Sequence, residues 1–188
     1  MTFTVNEKDL FNKYLSKSIR YLEWGAGKST ESALSQNQIL RVDSIESSVD
    51  FIEKMKKQSW FEDSRLYMHH VNIGPTKEWG RPIDKSHQDI WHNYPRYLRN
   101  NIKHLLMLEL MAWDTVLVDG RFRVACVLNT LMIKNCPIIM VHDFWKRPKY
   151  KTMLDYTEII DEADSLVVLR KQKEPPLELI TKFEKIVQ

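Results

Sequence analysis

Apolar and polar positions along the chain follow two alternating spacings. Short apolar runs, typical of strands, are separated by stretches in which apolar residues recur every three or four positions, as on one face of a helix. The short runs predict strands over residues 20–24, 39–46, 65–73, 115–119, 137–142 and 166–170. The wider spacing predicts helices over residues 9–18, 29–36, 49–58, 97–111, 124–134 and 149–163, and in the tail from residue 176. Strands that alternate with helices imply right-handed crossovers, so we predict an α/β fold with a mostly parallel sheet and helices on both faces.

The composition fits a single domain that spans residues 1–188. Hydrophobic residues make up 43% of the chain, which supplies a sizeable core and excludes wholesale disorder. Only two cysteines occur, so neither a disulfide framework nor a thiolate zinc site is expected. No apolar run approaches the roughly 20 residues of a membrane span, and the first residues lack the pattern of a secretory signal. We therefore expect a cytoplasmic protein without a membrane span.

Candidate functional residues lie where the predicted strands end, because ligands in such sheets bind beyond the carboxyl ends of the strands. These positions are 23–30, 46, 73, 119–123 and 142–145. Residues 75–95 form a long irregular stretch, and loops of this length inside a compact domain are usually functional or disordered. The aromatic residues Trp79, Trp91 and Tyr94 argue against disorder. We therefore predict that this stretch is an ordered lid over the site.

The turn after the first strand, residues 25–29 (Gly-Ala-Gly-Lys-Ser), allows two functional interpretations. The first is a phosphate-binding loop that uses Lys28, but that motif needs a glycine where this chain has Leu22, and Asp119 would supply its Mg²⁺-binding acid only loosely. The second is a nucleoside-binding turn, because Glu46 ends the second strand about 20 residues later, the spacing at which a carboxylate reaches a ribose diol. An ordinary turn with an exposed Glu46 is the alternative without function. We favour the nucleoside-binding turn.

Four segments resemble motifs of class I S-adenosylmethionine-dependent methyltransferases and occur in the order expected for that superfamily. They are residues 23–30 (Glu-Trp-Gly-Ala-Gly-Lys-Ser-Thr), 43–46 (Asp-Ser-Ile-Glu), 118–123 (Val-Asp-Gly-Arg-Phe-Arg) and 141–144 (Val-His-Asp-Phe). The chain is similar to a small-domain branch reminiscent of sugar O-methyltransferases, including those of large algal viruses. The resemblance implies a three-layer, Rossmann-like sheet. Members usually end in an antiparallel strand pair, yet only residues 166–170 form a clear strand here, so we expect the final strand to be missing or replaced by the C-terminal helix.

The resemblance also implies the cofactor, S-adenosylmethionine, and the residues that bind it. Glu23, Gly25 and Gly27 would line its methionine end, Glu46 would hold the ribose hydroxyls, and residues 72–73 would flank the adenine. The full set implied to bind the cofactor is Glu23, Gly25, Ala26, Gly27, Ser29, Thr30, Glu46, Ser47, Asn72, Ile73 and Asp119.

Three polar residues at the ends of the fourth and fifth strands, Asp119, His142 and Asp143, are the catalytic candidates, since the implied methyl group lies beside them. Transfer to a hydroxyl needs a base, and an imidazole with an ordinary pKa near 6.5 suits this task at neutral pH. Two alternatives stay open: His142 makes only a structural hydrogen bond, and Asp119 binds the amino group of the cofactor. A divalent metal on Asp119 and Asp143 is a further alternative, but the His-Asp pair suits hard Mg²⁺ less well than two acids, so no metal is expected.

The residues predicted to bind the acceptor are Arg121, Arg123, Trp79, Tyr94 and Trp145. The arginines suit a polar or anionic group, and the aromatic rings suit stacking on a sugar. A net charge of only +3 disfavours nucleic acid as a partner. We therefore predict O-methylation of a carbohydrate or glycan hydroxyl. A methyltransferase for another small molecule or for nucleic acid, a nucleotide-binding protein that uses Lys28, and a non-catalytic cofactor-binding module are the alternatives, and a homodimer is left open.

Overall fold

A computed structural model describes residues 3–106 and 113–187 of the chain. Within these residues the strands are β1 (Arg20–Trp24), β2 (Arg41–Glu46), β3 (Leu66–His70), β4 (Thr76–Lys77), β5 (Arg81–Pro82), β6 (Thr115–Val118), β7 (Ile138–Val141), β8 (Thr157–Ala163) and β9 (Leu166–Lys171). The α-helices are α1 (Val5–Leu15), α2 (Lys28–Leu34), α3 (Val49–Met55), α4 (Tyr97–Leu106), α5 (Arg123–Thr130) and α6 (Leu177–Phe183). The end of the helix predicted over residues 97–111 lies outside the described residues.

Seven of these strands form one sheet in the order β3-β2-β1-β6-β7-β9-β8. The five strands from β3 to β7 in this order run parallel, whereas β9 is antiparallel to both of its neighbours, β7 and β8. The direction in which successive strands are added reverses between β1 and β6, and ligands bind at the carboxyl ends beside such a switch point. The predicted mostly parallel sheet is confirmed.

The core is divided by the sheet into two apolar clusters, because neighbouring residues of a strand point to opposite faces. In β6, Val116 and Val118 belong to one cluster and Leu117 to the other. The first cluster includes buried residues of α4, α5 and α6, and the second includes those of α1 and α2. The fold therefore has three layers, as predicted. Among the described residues, no helix is long and apolar enough to cross a membrane.

The helix predicted over residues 149–163 is wrong. A 3₁₀ helix spans Pro148–Asp155, and β8 follows it and pairs antiparallel with β9. The register of this pair shifts between Ile159 and Asp161, so the alternation expected of a strand is broken in the middle of β8. The expectation that the final strand is missing or replaced by the C-terminal helix is therefore also wrong. The sheet ends in an antiparallel pair.

The stretch over residues 75–95 is irregular but structured. β4 and β5 form a short antiparallel hairpin, and a 3₁₀ turn at Trp91–Asn93 follows it. Trp91 and Tyr94 are buried in the first core cluster, whereas Trp79, at the tip of the hairpin, is 66% exposed. The buried aromatic residues attach this stretch to the carboxyl edge of the sheet.

Candidate functional site

The glycine turn after β1 packs directly against the turn after β6. Gly25 has a φ of +94°, and a Cβ on it would lie 2.8 Å from the Cα and N of Gly120. A Cβ on Gly120 would overlap the hydroxyl of Tyr94. Both glycines are therefore required by close backbone approach. Leu22, where a phosphate-binding loop needs a glycine, is fully buried within β1, so the geometry of such a loop is absent from this turn.

Glu23 lies beneath the glycine turn and is fully buried. Its carboxylate accepts hydrogen bonds from the hydroxyls of Tyr21 at 3.0 Å, Ser29 at 2.5 Å and Ser44 at 2.7 Å, and from the hydroxyl of Thr30. Burial raises the pKa of Glu23 to about 7, although the four hydroxyls favour its charged form. Through these hydrogen bonds, Glu23 connects the turn to Ser29 and Thr30 of α2 and to β2. Glu23 offers no exposed surface to a cofactor amine.

Glu46 ends β2 beside the glycine turn. Its Oε1 accepts the backbone N–H groups of Ser47 at 2.6 Å and Ser48 at 2.8 Å. Burial raises the pKa of Glu46, and the amides of Ser48, Ser47 and Ala26 oppose this rise by hydrogen bonding to the carboxylate. Because Ala26 belongs to the glycine turn, the Glu46 carboxylate lies directly against this turn. Glu46 lies at the end of the second strand, as the sequence predicts.

The tip of the β4–β5 hairpin covers Glu46. A Cβ on Gly80 would lie 3.1 Å from the Oγ of Ser47 and 3.7 Å from the Oε1 of Glu46. The carbonyl of Trp79 accepts a hydrogen bond from the Nε of Arg121 at 2.7 Å, which ties the tip to the turn after β6. A ligand that reaches Glu46 must therefore lie against this tip or displace it.

The two residues predicted to flank an adenine differ in accessibility. Asn72 is exposed, and its Oδ1 accepts the N–H of Gly74 at 2.8 Å. Ile73 is fully buried in the core. Of these two side chains, only that of Asn72 can reach a ligand in this arrangement.

Arg123, predicted to bind the acceptor, is instead enclosed between the ends of β6 and β7. Its guanidinium donates to the carbonyls of Gly120 at 3.0 Å and Asp119 at 2.9 Å, and to the carbonyl of His142. It also pairs with the Oδ1 of Asp119 at 3.0 Å and lies 3.6 Å from the Oδ2 of Asp143. Because Arg123 is 1% exposed, it has no surface for an acceptor.

His142 is buried between two carboxylates. Its Nδ1 lies 3.1 Å from the Oδ1 of Asp119 and its Nε2 lies 3.3 Å from the Oε2 of Glu7. Burial lowers the pKa of His142, but the hydrogen bond to Asp119 and the charges of the surrounding carboxylates outweigh burial and raise it. Both ring nitrogens are occupied, so this arrangement corresponds to the structural alternative considered for His142 and does not suit a general base.

Three potential metal ligands lie close enough together to contact one ion: Asp119, His142 and Asp143. The cationic guanidinium of Arg123 already lies between the two carboxylates, and Lys146 donates to the Oδ1 of Asp143 at 2.9 Å. These cations lower the pKa of Asp143 against the opposing effect of burial. A divalent ion would have to displace a buried arginine, so the residues present do not fit a metal.

Asp119 is the most accessible of the three catalytic candidates, with 19% of its side chain exposed. His142 and Arg123 both engage its Oδ1. Within residues 3–106 and 113–187, no hydrogen-bond or ion-pair partner is found for its Oδ2. Asp119 can therefore present one carboxylate oxygen to a ligand at the carboxyl end of β6.

The other residues predicted to bind the acceptor divide into buried and exposed groups. Tyr94 is buried and donates to the carbonyl of Ile45 at 3.3 Å, and Arg121 is also largely buried. Trp79 and Trp145 are 66% and 46% exposed, at separate positions around the sheet edge. Of these four residues, only the two tryptophans present large apolar surfaces to solvent.

The chain is similar to a methyltransferase-like protein from Silicibacter pomeroyi, with a TM-score of 0.86 and 22% sequence identity over 98% of this chain and 96% of that one. The chain has a methyltransferase-like fold. Two more distant likenesses have a TM-score of 0.47 and 11% identity: a spermidine synthase from Thermotoga maritima (89% of this chain, 59% of that one) and a B. subtilis tRNA methyltransferase (92% and 68%). No family model matches the sequence, and no curated protein matches it.

Glu7, which contacts the second ring nitrogen of His142, is not among the site residues predicted from the sequence. A capping box of Thr4 and Glu7 lies at the start of α1. The Thr-x-x-Glu spacing is visible in the sequence and indicates the start of a helix. Glu7 also accepts from the backbone and hydroxyl of Ser165 in the β8–β9 turn, at 3.0 and 2.6 Å. These long-range contacts had no local signal in the sequence.

We expect replacement of Arg123 by Met to destabilise the fold by about 3–5 kcal/mol, because it leaves two carboxylates and three carbonyls without their cation. Urea unfolding monitored by tryptophan fluorescence measures the change. Lys146→Met is the matched control, since it removes an exposed cation from the same Asp143 and should leave the unfolding midpoint nearly unchanged. Equal stability of the two variants would contradict the central role of Arg123.

We expect His142 to titrate above its ordinary pKa of about 6.5, as measured by NMR of its imidazole carbons. A raised folded-state pKa means that protonated His142 stabilises the fold below the unfolded value, and that this contribution is lost as the pH rises through the folded value. Glu7→Gln should lower the measured pKa, whereas Glu53→Gln on α3 should not change it. Titration below 6.5 in the native protein would show that burial dominates.

Proposed function

We propose that the protein is an S-adenosylmethionine-dependent methyltransferase that transfers a methyl group to a hydroxyl of a carbohydrate. The observation that carries this proposal is the position of Glu46 at the end of β2, beside the glycine turn that follows β1. A carboxylate next to a close-packed backbone turn at the switch point of a parallel sheet suits a ribose diol. The methyltransferase-like fold is consistent with this assignment.

The residues present fit such a cofactor. Apart from Gly27 and its two chain neighbours, no atom of the described residues lies within 4 Å of the position that a Cβ on Gly27 would take, so the backbone of the turn borders open space there. Glu46 would accept the ribose hydroxyls, Asn72 would lie beside the adenine, and the turn at residues 25–27 would pass beneath the methionine portion. Glu23 would hold this turn from below. The bound cofactor supplies a methyl group already activated on a positively charged sulfur.

Asp119 is the residue we assign to the acceptor. Its Oδ2 would accept the hydrogen bond of the acceptor hydroxyl and take up the proton that this hydroxyl loses. His142 and Arg123 hold the other oxygen, which fixes the orientation of the carboxylate. This assignment makes Asp119 the base, whereas the sequence alone leaves open which of Asp119, His142 and Asp143 takes that role.

The exposed tryptophans support a carbohydrate as the acceptor class. An indole face can pack against the apolar face of a sugar ring while the sugar hydroxyls remain hydrated. Trp79 lies at the hairpin tip that covers Glu46, and Trp145 follows the end of β7. Both are therefore near strand ends, where an acceptor would approach the methyl group.

Titration calorimetry with S-adenosylmethionine tests the cofactor. Glu46→Gln should weaken binding about tenfold or more, because a charged acceptor for two hydroxyls is lost while an amide oxygen can still accept from Ser47 and Ser48. Glu53→Gln, an exposed change on α3, is the control and should bind like the native protein. Absence of binding, together with Mg-ATP binding that is lost in Lys28→Ala, would overturn the proposal in favour of the nucleotide-binding alternative.

Transfer of labelled methyl groups to a panel of saccharides tests Asp119. Asp119→Asn should lower the rate about 10²–10⁴-fold without weakening cofactor binding, since proton uptake is lost. Asp143→Asn is the matched control, because it also changes a partner of Arg123 but leaves Oδ2 of Asp119 in place. An equal loss of rate and cofactor affinity would assign Asp119 to the cofactor amine. Cofactor binding without transfer to any acceptor class would favour a non-catalytic module.

A further inference from the structure

A second feature of the carboxyl edge is a pocket of about 540 Å³ beside the β4–β5 hairpin. Three cationic side chains line this pocket. Arg81 belongs to the hairpin, Lys85 follows the hairpin, and Arg147 lies in the segment after β7. Among the described residues, none of the three forms an ion pair. Among the described residues that line the pocket, Asp84 alone is acidic, and its Oδ1 already accepts from the N–H and hydroxyl of Ser86 at 2.8 and 2.5 Å.

The positive charge extends from this pocket towards Asp119. Arg121, two residues after Asp119, is bound through its Nε to the carbonyl of Trp79 in the same hairpin. Burial lowers the pKa of Arg121, and the positive charges of Arg123, Arg81 and Arg147 lower it further. The positive charges of these three arginines therefore act on Arg121, and an anion in the pocket, which Arg81 and Arg147 line, would offset part of that effect.

The wall of the pocket also contains a buried donor without an acceptor. Trp91 is 5% exposed and lines the pocket, and its indole Nε1–H has no hydrogen-bond partner within residues 3–106 and 113–187. Buried donors are rarely left unpaired in native proteins, so such a group points to a ligand or an ordered water. The nitrogen itself has almost no accessible surface, so other atoms of the Trp91 ring line the pocket, and the indole can report on a ligand there without donating to it.

We propose that this pocket binds a phosphate group of the acceptor, so that the substrate is a phosphorylated sugar. This inference rests on the proposed function for the position of the methyl transfer. Two guanidinium groups can each offer paired N–H donors to phosphate oxygens, with Lys85 as a further donor. A phosphate monoester carries a charge of about −1.5 to −2 at pH 7, which matches three cations better than a single carboxylate does.

NMR of ¹⁵N-labelled protein tests the pocket directly, because each tryptophan indole N–H gives a resolved signal and Trp91→Phe assigns that of Trp91. Inorganic phosphate, glucose 1-phosphate and glucose are titrated at constant ionic strength with chloride as the reference anion. The Trp91 signal should move with both phosphates, more tightly with glucose 1-phosphate, and should not move with glucose.

The variant that removes both arginines, Arg81→Gln with Arg147→Gln, should weaken glucose 1-phosphate binding about tenfold or more. Lys149→Gln is the control, since Lys149 is an exposed cation near Arg147 that does not line the pocket. S-adenosylmethionine binding is measured on the same samples and should be unchanged in all variants.

The two proposals can fail separately. Cofactor binding with no phosphate-dependent shift of Trp91, or equal phosphate affinity in the double variant, overturns the phosphate pocket and leaves the methyltransferase proposal standing. Phosphate binding without cofactor binding overturns the methyltransferase and the acceptor role, and leaves only an anion site. A single-stranded oligonucleotide that displaces glucose 1-phosphate at lower concentration overturns the assignment to a sugar.

Discussion

The buried guanidinium of Arg123 is the interaction on which the carboxyl edge of the sheet depends. It binds carbonyls from the turn after β6 and from the residue after β7, and it lies between the carboxylates of Asp119 and Asp143. Parallel strands leave unpaired carbonyls at this edge, and a buried carbonyl without a donor is costly. One side chain satisfies these groups at the edge where the candidate site lies.

The guanidinium of Arg123 restricts the chemistry that residues at the carboxyl edge of the sheet can perform. Because a fixed guanidinium takes the position between the two carboxylates, these residues leave no place there for a divalent ion. His142 lies between Glu7 and Asp119, so its imidazole adds a second cation to this edge when it is protonated. The imidazole contacts the same oxygen of Asp119 that Arg123 contacts. The remaining oxygen, Oδ2, is then held in a fixed direction. A loosely held carboxylate would need to be oriented again in each reaction.

The sequence predicted most strand positions but not the directions of several side chains. The strand at residues 20–24 and the strand end at Glu46 agree with the structure, because apolar runs and turn residues mark them locally. Glu23 was assigned to the cofactor, yet the alternation of β1 places it with Tyr21 on the face opposite Leu22 and Trp24, where it binds Ser44 of β2. Arg123 and Tyr94 are buried through partners distant in sequence. Such contacts leave no periodicity in the chain.

The β4–β5 hairpin connects the two parts of the candidate site. Its tip lies against Glu46 and Ser47 through Gly80, its carbonyl at Trp79 binds Arg121, and Arg81 lines the cationic pocket. These contacts come from adjacent residues of one short hairpin, so a displacement that uncovers Glu46 also moves Arg81. The tip over Glu46 and the cationic pocket therefore share one short element, so the position of this hairpin bears on both parts of the candidate site.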